Sequence, residues 1–223
     1  MLDFLNNYFD LLAHPFKNHK KYRLYRQRGI GLVGESDEDF AHGPDFLSMM
    51  VASWPFAVAE AIYAITSIHF GLWILSHFNQ DFGIAKILIP EGSYAAQRIN
   101  IIIIIANVVF FPLIAFLYTR LWSWVISFFV FLFDRQDSDA TGIDQVVNGS
   151  LSSNTFLLIP IFGPVIKKFA MLVHLFAGLK NNIGLSNLQS IVVLLSPLLI
   201  MFVFAMIALM FVGFVLVQFL SIF

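Results

Sequence analysis

Three long apolar runs constrain this chain more than any other feature of its sequence. They cover residues 52–78, 99–133 and 190–222, and each is longer than the roughly 20 apolar residues that a helix needs to cross a bilayer. Hydrophobic residues make up 59% of the chain and charged residues only 12%, whereas soluble domains average about 25% charged residues. The sequence therefore predicts an all-α, polytopic membrane helical bundle and excludes a water-soluble globular domain.

Two weaker segments lie between the second and third runs. Residues 143–162 are half polar, residues 164–179 are mostly apolar, and Gly163 joins them. We interpret the pair as a helical hairpin, which gives about five transmembrane helices in a domain over residues 52–223. The long second run is expected to be one helix kinked at Pro112, and the alternative is a break into two helices at Arg120.

The half-polar third segment is unusual for a membrane span. Its first half carries Asp, Gln, Asn, Ser and Thr side chains, which are costly to expose to lipid. These side chains must face partner helices, a water-filled cavity or the cytoplasmic interface. Packing against helices favours a scaffold, whereas a cavity favours transport.

The first 51 residues form an N-terminal segment with two surface signals. Apolar residues at three- and four-residue steps predict an amphipathic helix over residues 2–13 that ends before Pro15. Their positions are Leu2, Leu5, Phe9, Leu12 and Phe16. Six basic residues follow, namely Lys17, Lys20, Lys21, Arg23, Arg26 and Arg28.

This basic stretch favours a cytoplasmic N-terminus, and for a prokaryotic chain the cell (inner) membrane. A helix followed by basic side chains is typical of an anchor on an anionic membrane surface. The candidate contact residues are Phe9, Leu12 and Phe16 with the six basic side chains. The alternative is that the helix packs on the protein's own spans and the charges only set the topology.

Ionisable side chains at membrane depth form a second candidate site. Glu60 lies in the first run, and Lys167, Lys168 and His174 lie in the fourth segment. Such groups are costly in lipid and are often functional. The alternative is structural, because small residues surround Glu60 as in helix–helix contacts, and lysines near a hairpin turn can extend to water.

Other motifs are incomplete. Gly29-Ile-Gly31-Leu-Val-Gly34 matches a dinucleotide-binding pattern, but no strand precedes it. Asp137-Ser-Asp139-Ala-Thr141-Gly142 resembles the start of a calcium loop, but Asn148 replaces the glutamate at its twelfth position.

No cofactor, metal site or catalytic residues are predicted, so we do not expect an enzyme. The chain has no cysteine, and its net charge of −1 argues against nucleic-acid binding. The expected partners are the lipid bilayer and a membrane protein or a second copy of the chain.

Several short motifs resemble the Yip-domain family of membrane proteins that interact with Ypt/Rab GTPases. They are Asp10-Leu-Leu-Ala-His-Pro15, Ile159-Pro-Ile-Phe-Gly-Pro-Val-Ile166, Gly178-Leu-Lys180 and Gly184-Leu-Ser186. The resemblance implies five spans, a cytoplasmic N-terminus and, in eukaryotic members, a role in vesicle traffic. The short N-terminal segment is similar to prokaryotic-type members, which have no generally assigned activity.

The chain departs from the eukaryotic pattern at two places. It has Ser53-Trp-Pro-Phe56 where an Asp-Leu-Tyr-Gly-Pro element is expected, and Ser152-Ser-Asn-Thr-Phe156 in place of an aromatic-to-proline pattern. These differences argue against binding of a small GTPase. Two hypotheses follow: a non-enzymatic membrane scaffold or adaptor, and a small transporter or channel subunit that uses Glu60, Lys167, Lys168 and the polar third segment.

Overall fold

A computed structural model describes residues 2–28, 43–82, 93–134 and 140–220, and all regular elements in these ranges are helical. The first five are α1 (Leu2–Ala13), α2 (Pro15–Arg28), α3 (Phe46–Phe82), α4 (Ser93–Val109) and α5 (Phe111–Leu132). α6 (Ala140–Ser150) continues as a 3₁₀ helix (Leu151–Leu158), α7 (Gly163–Gly178) continues as a π-helical turn (Leu179–Ile183), and α8 (Asn187–Leu220) follows. The glycine pattern at 29–34 and the aspartates at 137 and 139 lie outside the described residues.

Three segments in the described part are long and apolar enough to cross a membrane. They are Phe46–Ile74, Phe111–Leu132 and Asn187–Phe219, and a shorter apolar helical segment covers Gln97–Val109. The chain is therefore compatible with an integral membrane protein. α3 contains the span predicted at 52–78, although it begins six residues earlier than the sequence predicts. α8 covers residues 190–220 of the span predicted at 190–222, and the last two residues of that span lie outside the described residues.

The helix predicted over 99–133 with a kink at Pro112 has a one-residue break beside that proline. α4 and α5 meet at Phe110, whose backbone has φ −88° and ψ 4°. Hydrogen bonds from Phe110 N to Ala106 O (2.8 Å) and from Ile114 N to Phe110 O (2.9 Å) still cross this junction. The break lies next to Pro112, which has no N–H to continue the helical ladder. α5 continues through Arg120, so the alternative break at that residue is wrong.

The hairpin predicted around Gly163 is present. The 3₁₀ helix ends at Leu158, residues 159–162 turn, and Gly163 begins α7. A Cβ at Gly163 would lie 2.5 Å from the backbone oxygen of Phe156, so only glycine lets the two arms approach this closely. At the other end of α7, a Cβ at Gly178 would lie 2.5 Å from Val146 Cγ1 on α6.

Two apolar clusters hold the helices together. One joins α5, α6, α7 and α8 around Ile126, Val146 and Leu175. The other joins α1, α2, α3, α5 and the 3₁₀ helix, and its members include Tyr8 and Leu151. The N-terminal helices therefore share a core with α3, α5 and the 3₁₀ helix.

Candidate functional site

The polar face of the third segment lies inside the bundle. Six of its side chains are buried: Gln145, Asn148, Ser150, Ser152, Ser153 and Asn154. Ser150, Ser152 and Ser153 donate hydrogen bonds of 2.7, 2.8 and 2.6 Å to carbonyls three residues earlier, and Asn154 donates one of 2.8 Å to Leu151 O. These polar side chains therefore face partner helices and bond to the local backbone, which is one of the three surroundings that the sequence leaves open.

Tyr8 joins α1 to this polar segment. Its buried hydroxyl lies 3.2 Å from Ser152 O, 3.4 Å from Leu151 O and 3.2 Å from Ser53 Oγ. The Ser53 hydroxyl on α3 donates to Leu151 O at 3.1 Å. Three chain segments thus meet at the start of the 3₁₀ helix, where the change from α to 3₁₀ geometry leaves carbonyls for side-chain donors.

Arg26 fixes the end of α2 to the hairpin. Its Nη1 donates to Asn182 Oδ1 at 2.7 Å and to Gln145 Oε1 at 3.3 Å, and its Nη2 donates to Asn182 O at 3.0 Å. Asn182 Nδ2 donates to Gln145 Oε1 at 3.1 Å. A Cβ at Gly142 would overlap Arg26 Nη1, so glycine makes the space for this guanidinium. Arg26 therefore has an intramolecular role that sequence reasoning missed.

Two histidines are buried between α2 and α7. His19 is 0% exposed and His174 is 2% exposed. Within the described part of the chain, both ring nitrogens of His19 and Nδ1 of His174 are buried without a hydrogen-bond partner. Burial lowers the pKa of His19 from 6.5 to about 3, and the nearby His174 acts in the same direction. His19 is therefore neutral at physiological pH, which suits its apolar surroundings.

The outward face of the N-terminal helices carries the predicted surface residues. Phe9 is 45% exposed and Phe16 is 43% exposed, whereas Tyr8 and Leu11 on the inward face are each 1% exposed. Lys17 and Lys20 are exposed. Leu12, Lys21, Arg23 and Arg26 are half-buried, and the side chain of Arg28 lies outside the described residues. We call Phe9, Phe16, Lys17 and Lys20 the outward N-terminal face.

A cavity of about 290 Å³ lies beside this core, between α3, α4, α5, α7 and the 3₁₀ helix. Its polar lining comes from Glu60 on α3, Asn107 on α4 and Lys167 on α7. Much of the remaining wall is small or apolar: Ala57, Ala61, Ala64, Ile104, Phe111 and Leu157.

The structure thus brings together two of the four ionisable residues predicted from the sequence. Glu60 and Lys167 line the same cavity. Lys168 is exposed, and His174 lies two turns further along α7, against the N-terminal helices. Asn107 was missed, although a polar side chain within the apolar segment Gln97–Val109 is a signal that could have found it.

No family model, curated protein or solved structure matches this chain. The Yip-domain resemblance therefore stays a prediction from the short motifs quoted above.

Proposed function

We propose that the protein is a non-enzymatic integral membrane scaffold whose N-terminal helix pair contacts the cytoplasmic membrane surface. One observation carries this proposal: α1 and α2 dock through one face and leave much of the outward N-terminal face exposed, although the Phe16 ring also contacts Phe176 on α7. Phe9 and Phe16 are exposed there beside Lys17 and Lys20. Apolar burial and attraction to anionic lipid add together in such an arrangement.

The packed hairpin supports the scaffold hypothesis. Ser152 and Ser153 are both 0% exposed and hydrogen-bonded to backbone carbonyls. A transport path would require polar side chains that face water or a passing substrate. Here the polar side chains instead hold the N-terminal helices and the hairpin in one rigid arrangement, which is what a scaffold needs.

For the topology, we propose five crossings with a cytoplasmic N-terminus. The three long apolar segments supply three crossings. α4 bends away from the start of α5 and is not counted as a separate crossing. The two arms of the hairpin supply the fourth and fifth crossings. At about 1.5 Å per α-helical residue and 2.0 Å per 3₁₀ residue, each arm with its continuation is long enough for the hydrocarbon core. In this arrangement the protein is Yip-like, of the prokaryotic type, and binds a membrane-protein partner or a second copy.

The cavity gives a second candidate function. Charged side chains from two helices line it at membrane depth, at Glu60 and Lys167. This arrangement favours a small transporter or channel subunit, as charged residues inside a bundle do in general.

A fluorescence measurement on the full-length protein tests the scaffold proposal. The chain has no native cysteine, so Phe9→Cys can carry a single environment-sensitive dye in proteoliposomes. We expect a blue-shifted emission in anionic vesicles that weakens with added salt, because salt screens the lysine attraction. The matched control is Asn6→Cys, an exposed polar position on the same helix, which should shift less.

The same emission at positions 9 and 6 in anionic and neutral vesicles would contradict the membrane contact. If the emission blue-shifts at position 9 but not at position 6, and the shift does not change with salt, apolar burial alone anchors the helix. This result would refute the electrostatic half of the proposal.

A further inference from the structure

Two side chains of opposite charge line the cavity from different helices. Glu60 projects from α3 and Lys167 from α7. In the part of the chain that the structure describes, their carboxylate and ammonium groups do not come within 4.0 Å of each other. Each charge lacks a salt-bridge partner in the described residues, and charges in apolar surroundings are stabilised by an opposite charge, so the cavity suits a ligand that pairs with both groups.

A ligand with one charge would leave one wall unmatched. An anion would pair with Lys167 and face the Glu60 carboxylate, and a cation would do the reverse. Unpaired charges in apolar surroundings are costly. A zwitterion satisfies both walls at once, with its ammonium at Glu60 and its anionic group at Lys167.

The position of the cavity indicates where the ligand comes from. Its rim includes Asn107, which is exposed, and Ile114, which is 48% exposed. These rim residues belong to the apolar segments Gln97–Val109 and Phe111–Leu132. The mouth therefore opens toward lipid, and the Asn107 amide adds a hydrogen-bond donor and an acceptor at the entrance.

We infer that this cavity binds the zwitterionic headgroup of an aminophospholipid, with the primary ammonium on Glu60 and the phosphate on Lys167 and Asn107. A volume of about 290 Å³ is at the lower end for small-molecule sites, which suits a headgroup whose acyl chains stay in the bilayer. This inference goes beyond the scaffold function and does not depend on the N-terminal face.

Native mass spectrometry of the full-length protein tests this inference. The protein is released from vesicles that contain equal amounts of phosphatidylethanolamine, phosphatidylcholine and phosphatidylglycerol. We expect phosphatidylethanolamine to be retained preferentially, because choline has no N–H to donate and glycerol has no cation. Glu60→Gln and Lys167→Met should each reduce this retention roughly tenfold or more. Lys168→Met is the matched control, because Lys168 is exposed and outside the cavity lining, and it should retain the lipid as the wild type does.

A charge-swapped variant distinguishes loss of lipid binding from loss of folding in the single variants. Glu60→Lys with Lys167→Glu keeps both charges on exchanged walls, so it should regain part of the phosphatidylethanolamine preference. Equal retention of the three lipids by the wild type would overturn the inference, and so would unchanged retention in Glu60→Gln and Lys167→Met. Displacement of the lipid by soluble phosphoethanolamine at equal concentration would also overturn it, since the ligand would then be a water-soluble zwitterion.

Discussion

The indole Nε1 of Trp54 donates a hydrogen bond of 3.0 Å to the backbone oxygen of Val108. Pro112 lies four residues after Val108 and has no N–H, so this carbonyl loses its partner in the helical ladder. The indole of Trp54 on α3 therefore replaces the backbone N–H that residue 112 would donate to Val108 O if it were not a proline. In an apolar setting an unpaired carbonyl is costly, which makes this contact a link between two helices.

Removal of the indole donor should weaken this link. We expect Trp54→Phe to lower the free energy of unfolding in detergent by about 1 kcal/mol, because it leaves the Val108 carbonyl unpaired. Trp124→Phe is the control, since Trp124 is 79% exposed on α5, and it should change the free energy much less.

A double-variant cycle separates this bond from general packing. Pro112→Ala restores an N–H for the Val108 carbonyl, so Trp54→Phe should cost less in that background. An equal cost in both backgrounds would show that the indole contributes by packing and not by replacing the lost helical bond.

The close approach of α6 and α7 at Gly178 gives a second prediction. A Cβ there would lie 2.5 Å from Val146 Cγ1, whereas a Cβ at Gly213 meets nothing within 4 Å. We expect Gly178→Ala to destabilise the protein by about 1–3 kcal/mol through overpacking. Gly213→Ala should be neutral or slightly stabilising, because alanine favours helix more than glycine does.

Thermal unfolding of the purified variants measures both effects. Val146→Ala, which trims the opposing side chain, should recover part of the loss in Gly178→Ala. If the two glycine variants unfold alike, the close approach of the helices is not what requires Gly178.

The buried His19 predicts a loss of stability in acid. Its pKa is about 3 in the folded chain and 6.5 ordinarily, so between these values the unfolded chain binds more protons. Stability therefore falls as the pH drops below about 6.5, by at most about 1.4 kcal/mol per pH unit for this group. The protection factors of the α2 amides, which correct for the slower intrinsic exchange of amides in acid, should fall over the same range.

His19→Phe removes one titrating group and should reduce this pH dependence. The control is His14→Gln, which changes an exposed histidine that pairs with Asp10 at 3.1 Å. If the wild type and His19→Phe have the same pH profile above pH 4, another group causes the acid sensitivity.

Local patterns in the sequence predicted the helices and turns that depend mainly on neighbouring residues. The three- and four-residue spacing and Pro15 predicted a helix over residues 2–13, and α1 covers Leu2–Ala13. Gly163 predicted the hairpin turn because few other residues allow such a close approach. The missing N–H of Pro112 predicted a kink in the second apolar run, and the junction between α4 and α5 lies at Phe110, two residues before that proline.

These patterns could not predict which residues far apart in the sequence contact each other. The apolar stripe with Phe9 was recognised, but the side that packs is the one with Tyr8 and Leu11. Amphipathicity shows that a helix has an apolar side, and it does not show which side the rest of the chain covers. The contact of Arg26 with Asn182 joins residues 156 positions apart, so charge counting placed Arg26 with the surface bases.

Water access to the hairpin core distinguishes a packed scaffold from a transport path. Ser153 is 0% exposed, and its hydroxyl donates to Ser150 O at 2.6 Å. In a chain without native cysteine, Ser153→Cys and the exposed control Lys17→Cys can be compared in proteoliposomes with a small water-soluble thiol reagent. A packed scaffold predicts labelling at 153 that is roughly 100-fold slower than at 17, because the reagent must wait for a local opening. Labelling at similar rates would reveal a water-filled path through the hairpin and would contradict the scaffold account in favour of transport.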